Sequence, residues 1–177
     1  KVENIFSIIP KGKKGQKVKV KEIQNKQKVL IQFKNTDQTH FVLGFRSYDL
    51  FDKKNPTLSL LSVLLGGGMS SRLFQKLREE MGIGYYLKAS NDAYTDHGVF
   101  SISAGVDNKR INEAIKAILE ETQKLKINVV DEEELNKAKE FLIGNIKLSL
   151  ESSDEIASFF GGQEILKKEI KSLEEKI

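Results

Sequence analysis

Two side chains separated by a turn carry the clearest chemical possibility in this sequence. Arg78 and Tyr85 are seven residues apart, on either side of the run Glu79-Glu80-Met81-Gly82-Ile83-Gly84. If that run ends a helix and reverses the chain into a strand, the guanidinium and the phenol come close enough to face one ligand. The first supplies a planar fork of N–H donors and the second an O–H donor. Spacing alone favours a plainer arrangement, with Arg78 paired to Glu79 or Glu80 on the surface and Tyr85 packed in a sheet.

Other chemistries are poorly supplied. The chain has no cysteine, so it contains no disulfide, thiolate ligand or thiol nucleophile, which fits a reducing compartment and leans toward the cytoplasm. The only histidines are His40 and His97, and neither HExxH nor HxxEH occurs, so a catalytic zinc held by this chain alone is not expected. His97 follows Asp96 in an expected turn and reads as a solvent-exposed residue. His40 opens an expected strand and reads as half-buried packing. Gly66-Gly67-Gly68 before a helix suggests a phosphate loop, because glycine amides and a helix N-terminus favour anions. However, Met69-Ser70-Ser71-Arg72 has no Lys-Ser/Thr at the required offset, and the glycines do not fit G-x-G-x-x-G. A hinge between helices is the better reading, with Met69, Leu73 and Phe74 as core or as packing on a neighbour.

The elements that must position these residues follow from periodicity. Thr39 to Arg46 alternates as a strand, with Phe41, Leu43 and Phe45 on one face and His40, Val42 and Gly44 on the other. Asn55-Pro56 reads as an N-cap followed by proline at the first helical position, with a Leu58, Leu61, Leu65 stripe running to the glycines. A second helix is expected from Ser70 or Ser71, carrying Leu73, Phe74, Leu77 and Met81, and ending where glycine can take a positive φ. Tyr85 to Ser90 and Val99 to Val106 read as strands, joined by a turn over Asp92 to Gly98, with Phe100, Ile102, Ala104 and Val106 sharing a face.

From Asp107 the period becomes helical, through Ile111, Ala114, Ile115, Ile118, Leu119 and Leu125. Asp131 and Glu134 resemble a capping box before a helix bearing Leu135, Ala138, Leu142 and Ile146. A last helix is expected from Ser153 to about Lys168, with a bend at Gly161-Gly162. The order strand, helix, helix, strand, strand, helix, helix predicts an α+β fold, a largely antiparallel sheet with α-helices packed on one face.

Composition agrees with a folded domain. The 177 residues are 39% hydrophobic and 31% charged. No uncharged apolar run approaches the ~18 residues of a membrane span, so no membrane partner is expected. The opening Lys1-Val-Glu-Asn-Ile-Phe-Ser resembles no signal peptide, and the missing initiator Met suggests a piece of something longer. Charge is uneven. Residues 1–36 hold ten Lys against Glu3 and Glu22, leaving 19 basic against 23 acidic residues in the remainder. All of those cations are Lys, without the Arg and interleaved aromatics of a nucleic-acid arm, so a solvated linker is the expectation and nucleic acid is not an expected partner. Pro10 to Lys17 reads as linker, while Val18-Lys-Val-Lys and Val29-Leu-Ile-Gln-Phe alternate well enough for short strands. Residues 1–35 are thus expected to be a linker region with short strands, and 36–177 the domain.

The run from Leu65 through Gly66-Gly67-Gly68, Ser70-Ser71-Arg72-Leu73-Phe74 and Leu77-Arg78-Glu79-Glu80-Met81-Gly82 to Tyr85 resembles the second-domain signature of the pitrilysin or insulinase family (M16) of inverted-zinc-motif metallopeptidases, which includes mitochondrial processing peptidase. The likeness extends through Gln38 to Phe45, Phe100 to Ala104, Asp131 to Lys139 and Leu150 to Asp154, covering roughly residues 30 to 177. It implies the C-terminal, non-zinc half of such an enzyme, with residues 1–35 as interdomain linker. The zinc-binding half, with HxxEH, would lie in the same parent chain or in a partner subunit.

By that resemblance Arg78 would hydrogen-bond substrate carbonyl oxygens, and the Tyr85 hydroxyl would help stabilise the tetrahedral oxyanion of peptide hydrolysis. Gly66, Gly67 and Gly68 would be further substrate contacts, and the substrate would be a peptide or unfolded protein. The half would bind no metal itself and would be inactive alone, with zinc belonging to the other half and homo-oligomerisation left open. Two other readings compete: a catalytically inactive scaffold of the same fold, like respiratory-complex core subunits, and a basic binding module working through the Lys-rich segment.

Overall fold

In the computed structural model, residues 2–10, 12, 13, 15–21, 23–167 and 169–175 are described. A short helix, α1 (Val2–Phe6), opens the chain, and the ordered sheet begins with β1 (Gln38–Ser47). Then come α2 (Asn55–Gly66), α3 (Arg72–Phe74) running directly into a π-helical stretch over Gln75–Glu80, β2 (Gly84–Ala93), β3 (Gly98–Asp107), α4 (Ile111–Ile127), α5 (Glu132–Ser149) and α6 (Ser153–Lys167). The expected α+β order is the observed one. Lys168, the expected end of the last helix, lies outside the described residues, as do Lys1, Lys11, Lys14 and Glu22 of the basic segment. α6 runs through Gly161 and Gly162 as one continuous helix.

The sheet is antiparallel with order β1-β3-β2, so the last strand in sequence is the central one. Its alternate residues Phe100, Ile102, Ala104 and Val106 are all buried and form the floor of the core. Leu65 of α2, Leu73 of α3, Leu77 of the π-helical stretch, and Ala114 and Ile118 of α4 cover them from one side. The opposite face of the sheet is left to solvent along β1, where His40, Val42, Gly44 and Arg46 are exposed.

Helix α4 buries Ala114, Ala117, Ile118 and Glu121, whereas Leu119 is 47% exposed. The buried stripe follows spacings of three and four from Ile111, and Leu119 stands one residue, about 100°, off it. The Glu121 carboxylate is matched by Lys124 Nζ at 2.6 Å. At the start of α5, Asp131 caps as expected, its Oδ1 accepting the Glu133 N–H at 2.9 Å. Glu134 does not close the expected box. It is taken instead by Arg72, whose Nε and NH2 donate to the two carboxylate oxygens at 2.6 Å each, a bidentate pair that ties the start of α3 to α5.

The glycine run between α2 and α3 is a packing device. A Cβ on Gly66 would stand 2.6 Å from the backbone N of Ala89 and 3.1 Å from its Cβ, so α2 ends in direct backbone contact with β2. Gly68 has φ +134, a conformation open to glycine, with the Phe141 ring of α5 beside it. The loop is closed by Ser71 Oγ donating to Gly68 O at 2.6 Å and Gln75 Nε2 to Met69 O at 2.7 Å.

The leading segment differs from expectation. Val18 to Lys21 and Val29 to Phe33 form no ladder, and Leu30 and Phe33 are 97% and 91% exposed. Alternation makes a strand only when an edge pairs with it, and here neither stretch meets one. Residues 17–20 are instead pinned by side chains to the β2–β3 turn. Asp96 accepts from Lys17 Nζ at 2.8 Å and from the Val20 N–H at 3.1 Å, and lies 2.9 Å from His97 Nδ1. Lys17 also donates to Thr95 Oγ1. His97 is therefore not the exposed turn residue expected from sequence: its side chain is only 24% exposed and its ring stacks on Tyr94 at 4.7 Å.

Two consequences follow from this packing. Gly66→Ala should lower unfolding stability by about 1–3 kcal/mol, the usual scale for atoms forced into a filled site, measured as a shift in denaturation midpoint; an unchanged midpoint would refute the contact. Lys17, His97 and the Val20 amide together hold the Asp96 carboxyl well below its ordinary value of 3.8. A depressed carboxylate stabilises above its unfolded pKa, so the Asp96 attachment should be complete above about pH 4 and weaken only as the pH falls through the depressed value. Asp96→Asn should weaken it at neutral pH, seen as faster amide exchange over residues 17–20 and faster tryptic cutting there.

Candidate functional site

The structure brings Arg78 and Tyr85 together at the turn from the helical segment into β2. Between them, Met81 donates its N–H to Lys76 O at 3.1 Å, a five-residue reach that marks the π-helical end, and Ile83 donates to Leu77 O at 2.9 Å. Gly82 takes φ +64, which lets the chain reverse in so few residues. Arg110 NH1 of the α4 cap donates to Met81 O at 3.0 Å and fixes the turn from outside.

The strand side is irregular as well. Gly84 pairs with Val106 and Tyr86 with Gly105, so Tyr85 is the extra residue of a β-bulge, without a partner on β3. A bulge breaks the alternation of side chains and re-aims the residue it carries. Tyr85 is 53% exposed and Tyr86 44% exposed, although they are consecutive residues that a regular strand would send to opposite faces.

Arg78 settles between the two arrangements that spacing allowed. Its NH1 donates to the Tyr85 carbonyl oxygen at 2.7 Å, while Glu80 is engaged by Lys76 at 2.5 Å. The guanidinium and the Tyr85 residue are joined through backbone rather than through the phenol. Arg78 is exposed, and a guanidinium has more N–H donors than this one bond uses. The Arg78 Cζ also stands 5.6 Å from the centroid of the Phe74 ring, one turn earlier. A narrow apolar crevice, lined by Phe74, Leu77, Tyr86 and Leu87, opens beside Arg78.

His40 belongs to the same end of the sheet. It is exposed rather than half-buried, and its ring stacks on Tyr86 at 5.6 Å between centroids, with Nδ1 3.4 Å from the Tyr86 hydroxyl. The two rings meet across Gly105, the residue of β3 that pairs with both. A Cβ there would lie 2.6 Å from Tyr86 Cε1 and 3.2 Å from His40 Nδ1. Tyr86, Phe74 and Gly105 are neighbours of the site that sequence reading did not assign to it. Tyr86 could have been found only by expecting the bulge.

Gly66, Gly67 and Gly68 lie half-buried against the middle of β2 and against α5, away from the bulge in sequence and packed by Ala89, Val63 and Phe141. Among the described residues no three His, Asp or Glu converge as a metal site. His40 and His97 stand at opposite ends of β3, opposite Gly105 and beside Gly98 respectively. The described residues therefore offer no set that would fit a zinc ion.

The sequence and fold of this chain have counterparts in known proteins. Residues 1–142 match the peptidase M16 inactive domain. The uncharacterized zinc protease YmxG of Bacillus subtilis is 34% identical over 148 residues, covering 84% of this chain and 36% of that protein. An uncharacterized zinc protease of Rickettsia felis is 33% identical over 150 residues, covering 84% of this chain and 35% of its own length. The chain thus spans about a third of the curated relatives it matches. Among solved structures, a peptidase M16 inactive domain from Pseudomonas fluorescens superposes with a TM-score of 0.69 at 26% identity, covering 78% of this chain and 33% of that one. The three-stranded sheet with its helices on one face, and the sequence match over most of its length, together establish that this chain belongs to the peptidase M16 inactive-domain family.

Proposed function

We propose that this chain is the substrate-binding half of a zinc-dependent metalloendopeptidase that cleaves peptides or unfolded proteins, and that it is inactive without its zinc-binding half. The observation that carries the reading is the exposed pairing of Arg78 with the bulged Tyr85 in a member of the M16 inactive-domain family. Arg78 donates to a carbonyl oxygen of the bound peptide, as it already donates to the Tyr85 carbonyl. The Tyr85 hydroxyl donates to the oxygen that becomes negative as the scissile carbonyl turns tetrahedral. A donor placed in advance stabilises that charge more than it stabilises the planar ground state, which is what accelerates the reaction.

Zinc belongs, in this reading, to the other half of the parent chain or to a partner subunit, and supplies the activation of water there. Residues 1–35 form the linker region between the halves. The Asp96 attachment supports this, because it gives the linker a fixed entry onto the domain. The peptide is held in extended form, through backbone hydrogen bonds that tolerate varied sequence. Gly66, Gly67 and Gly68 serve the substrate indirectly, by setting the loop that carries the exposed Met69 and Ser70.

The test compares hydrolysis of a quenched, unstructured peptide by this chain, by the full-length parent, and by parent variants. Activity is expected in the parent only. Tyr85→Phe should lower kcat by at least about tenfold, and by about a hundred- to a thousandfold if the hydroxyl is a full oxyanion donor. Arg78→Ala should lower kcat/KM with little change in unfolding midpoint, since the side chain is exposed. Hydrolysis by the isolated chain would overturn the reading, and a parent inactive under all conditions would transfer it to a scaffold of the same fold.

A further inference from the structure

Arg78 is held at two points, and only one of them is backbone. Below its guanidinium lies the ring of Phe74, with Cζ 5.6 Å from the ring centroid. Phe74 is neither part of the buried core cluster nor among the partly buried hydrophobic residues packed on it. The neighbouring residues Leu73 and Leu77 are 0% exposed and fill the core from the same segment, while Phe74 is only half-buried, at the wall of the crevice shared with Tyr86 and Leu87. An exposed arginine otherwise gives up rotamer freedom when it is fixed in one geometry. A flat π-face beneath the cation favours that geometry before any ligand arrives.

We propose that Phe74 is a positioning residue for Arg78, holding the guanidinium at the bulge so that its remaining N–H donors meet a substrate carbonyl. This rests on the reading of Arg78 as a substrate contact and adds to it the group that orients the contact. Phe74 acts through Arg78. Its ring restricts the rotamers at one end of the side chain, and the hydrogen bond to the Tyr85 carbonyl fixes the direction at the other.

The experiment is a double-mutant cycle in the full-length parent, with kcat and KM measured on a quenched unstructured peptide. Phe74→Leu, which keeps apolar bulk and removes the π-face, should lower kcat/KM by about two- to fivefold, the effect of an exposed cation–π contact. Phe74→Tyr should retain activity. The pair Phe74→Leu with Arg78→Ala should fall no lower than Arg78→Ala alone, because a positioning residue has nothing left to position. If Phe74→Leu does not fold, Phe74→Met takes its place in the cycle. Losses that multiply in the double variant would overturn the proposal, as would full activity in Phe74→Leu beside an impaired Arg78→Ala. Full activity in Arg78→Ala itself would instead overturn the role assigned to Arg78, and the proposal with it.

Discussion

The central strand β3 imposes the constraint on which the remaining structure depends, because it must satisfy its backbone along both edges and cover its apolar residues from one side only. β1 and β2 meet the first demand by pairing antiparallel with it, β1 from Gly98 to Asp107 and β2 from Gly98 to Val106. Leu65, Leu73, Leu77 and Ile118 meet the second over Ile102, Ala104 and Val106. A chain that supplied helices for both faces would have buried Tyr86 and His40. Here the second face is left with small residues, Ser101, Ser103 and Gly105, and with whatever side chains the edge strands project. The exposed site is thus a consequence of one-sided packing and not an addition to it.

Within that frame, two irregularities face each other across the Met81–Ile83 turn. The helical segment ends in a π-helical stretch, and the strand begins with a bulge. Each inserts a residue that regular geometry would not accommodate, and each is a feature that tends to occur at functional positions. The Arg78 side chain spans the gap, from the Phe74 ring in the helix to the Tyr85 carbonyl in the strand. Had β2 been regular, Tyr85 and Tyr86 would have pointed to opposite faces, and one of them would have entered the core against Leu77. The bulge allows both rings to stay outside while Leu87 and Ala89 still pack inward.

Much of the architecture was legible because it rests on periodicity. Alternation marked β1 and β3, the three-and-four stripe marked α4, and the glycine-rich turn marked the reversal before β2. Legibility stopped where a tertiary partner outcompeted a local one. Glu134 sits at the capping-box position, yet a bidentate Arg72 from another helix binds it more strongly than the backbone amide of Asp131 does. Val29 to Phe33 has the pattern of a strand, but among the described residues no edge pairs with it. His97 looked like an exposed turn residue because the segment that covers Asp96 beside it comes from 79 residues earlier, at Lys17. For the site, spacing placed Arg78 and Tyr85 near each other, and the family resemblance supplied their roles. The carbonyl bond between them, the Phe74 support and the bulge required coordinates, since none is implied by residue type.

Two glycines set how closely the elements around the site approach one another. Gly66 brings α2 against the backbone of β2, and Gly105 lets the rings of Tyr86 and His40 meet across β3. The first shortens the distance between layers on the covered side, and the second lets aromatic surface lie close against the open side. Several acidic residues are paired elsewhere: Glu134 and Glu113 with arginines, Asp96 with the leading segment, Glu80 and Glu133 with lysines of their own helices. What remains free at the exposed end of the sheet is a set of hydrogen-bond donors beside aromatic surface. In the proposed role, this set binds and polarises a peptide carbonyl, and another surface brings the attacking group to the same carbonyl.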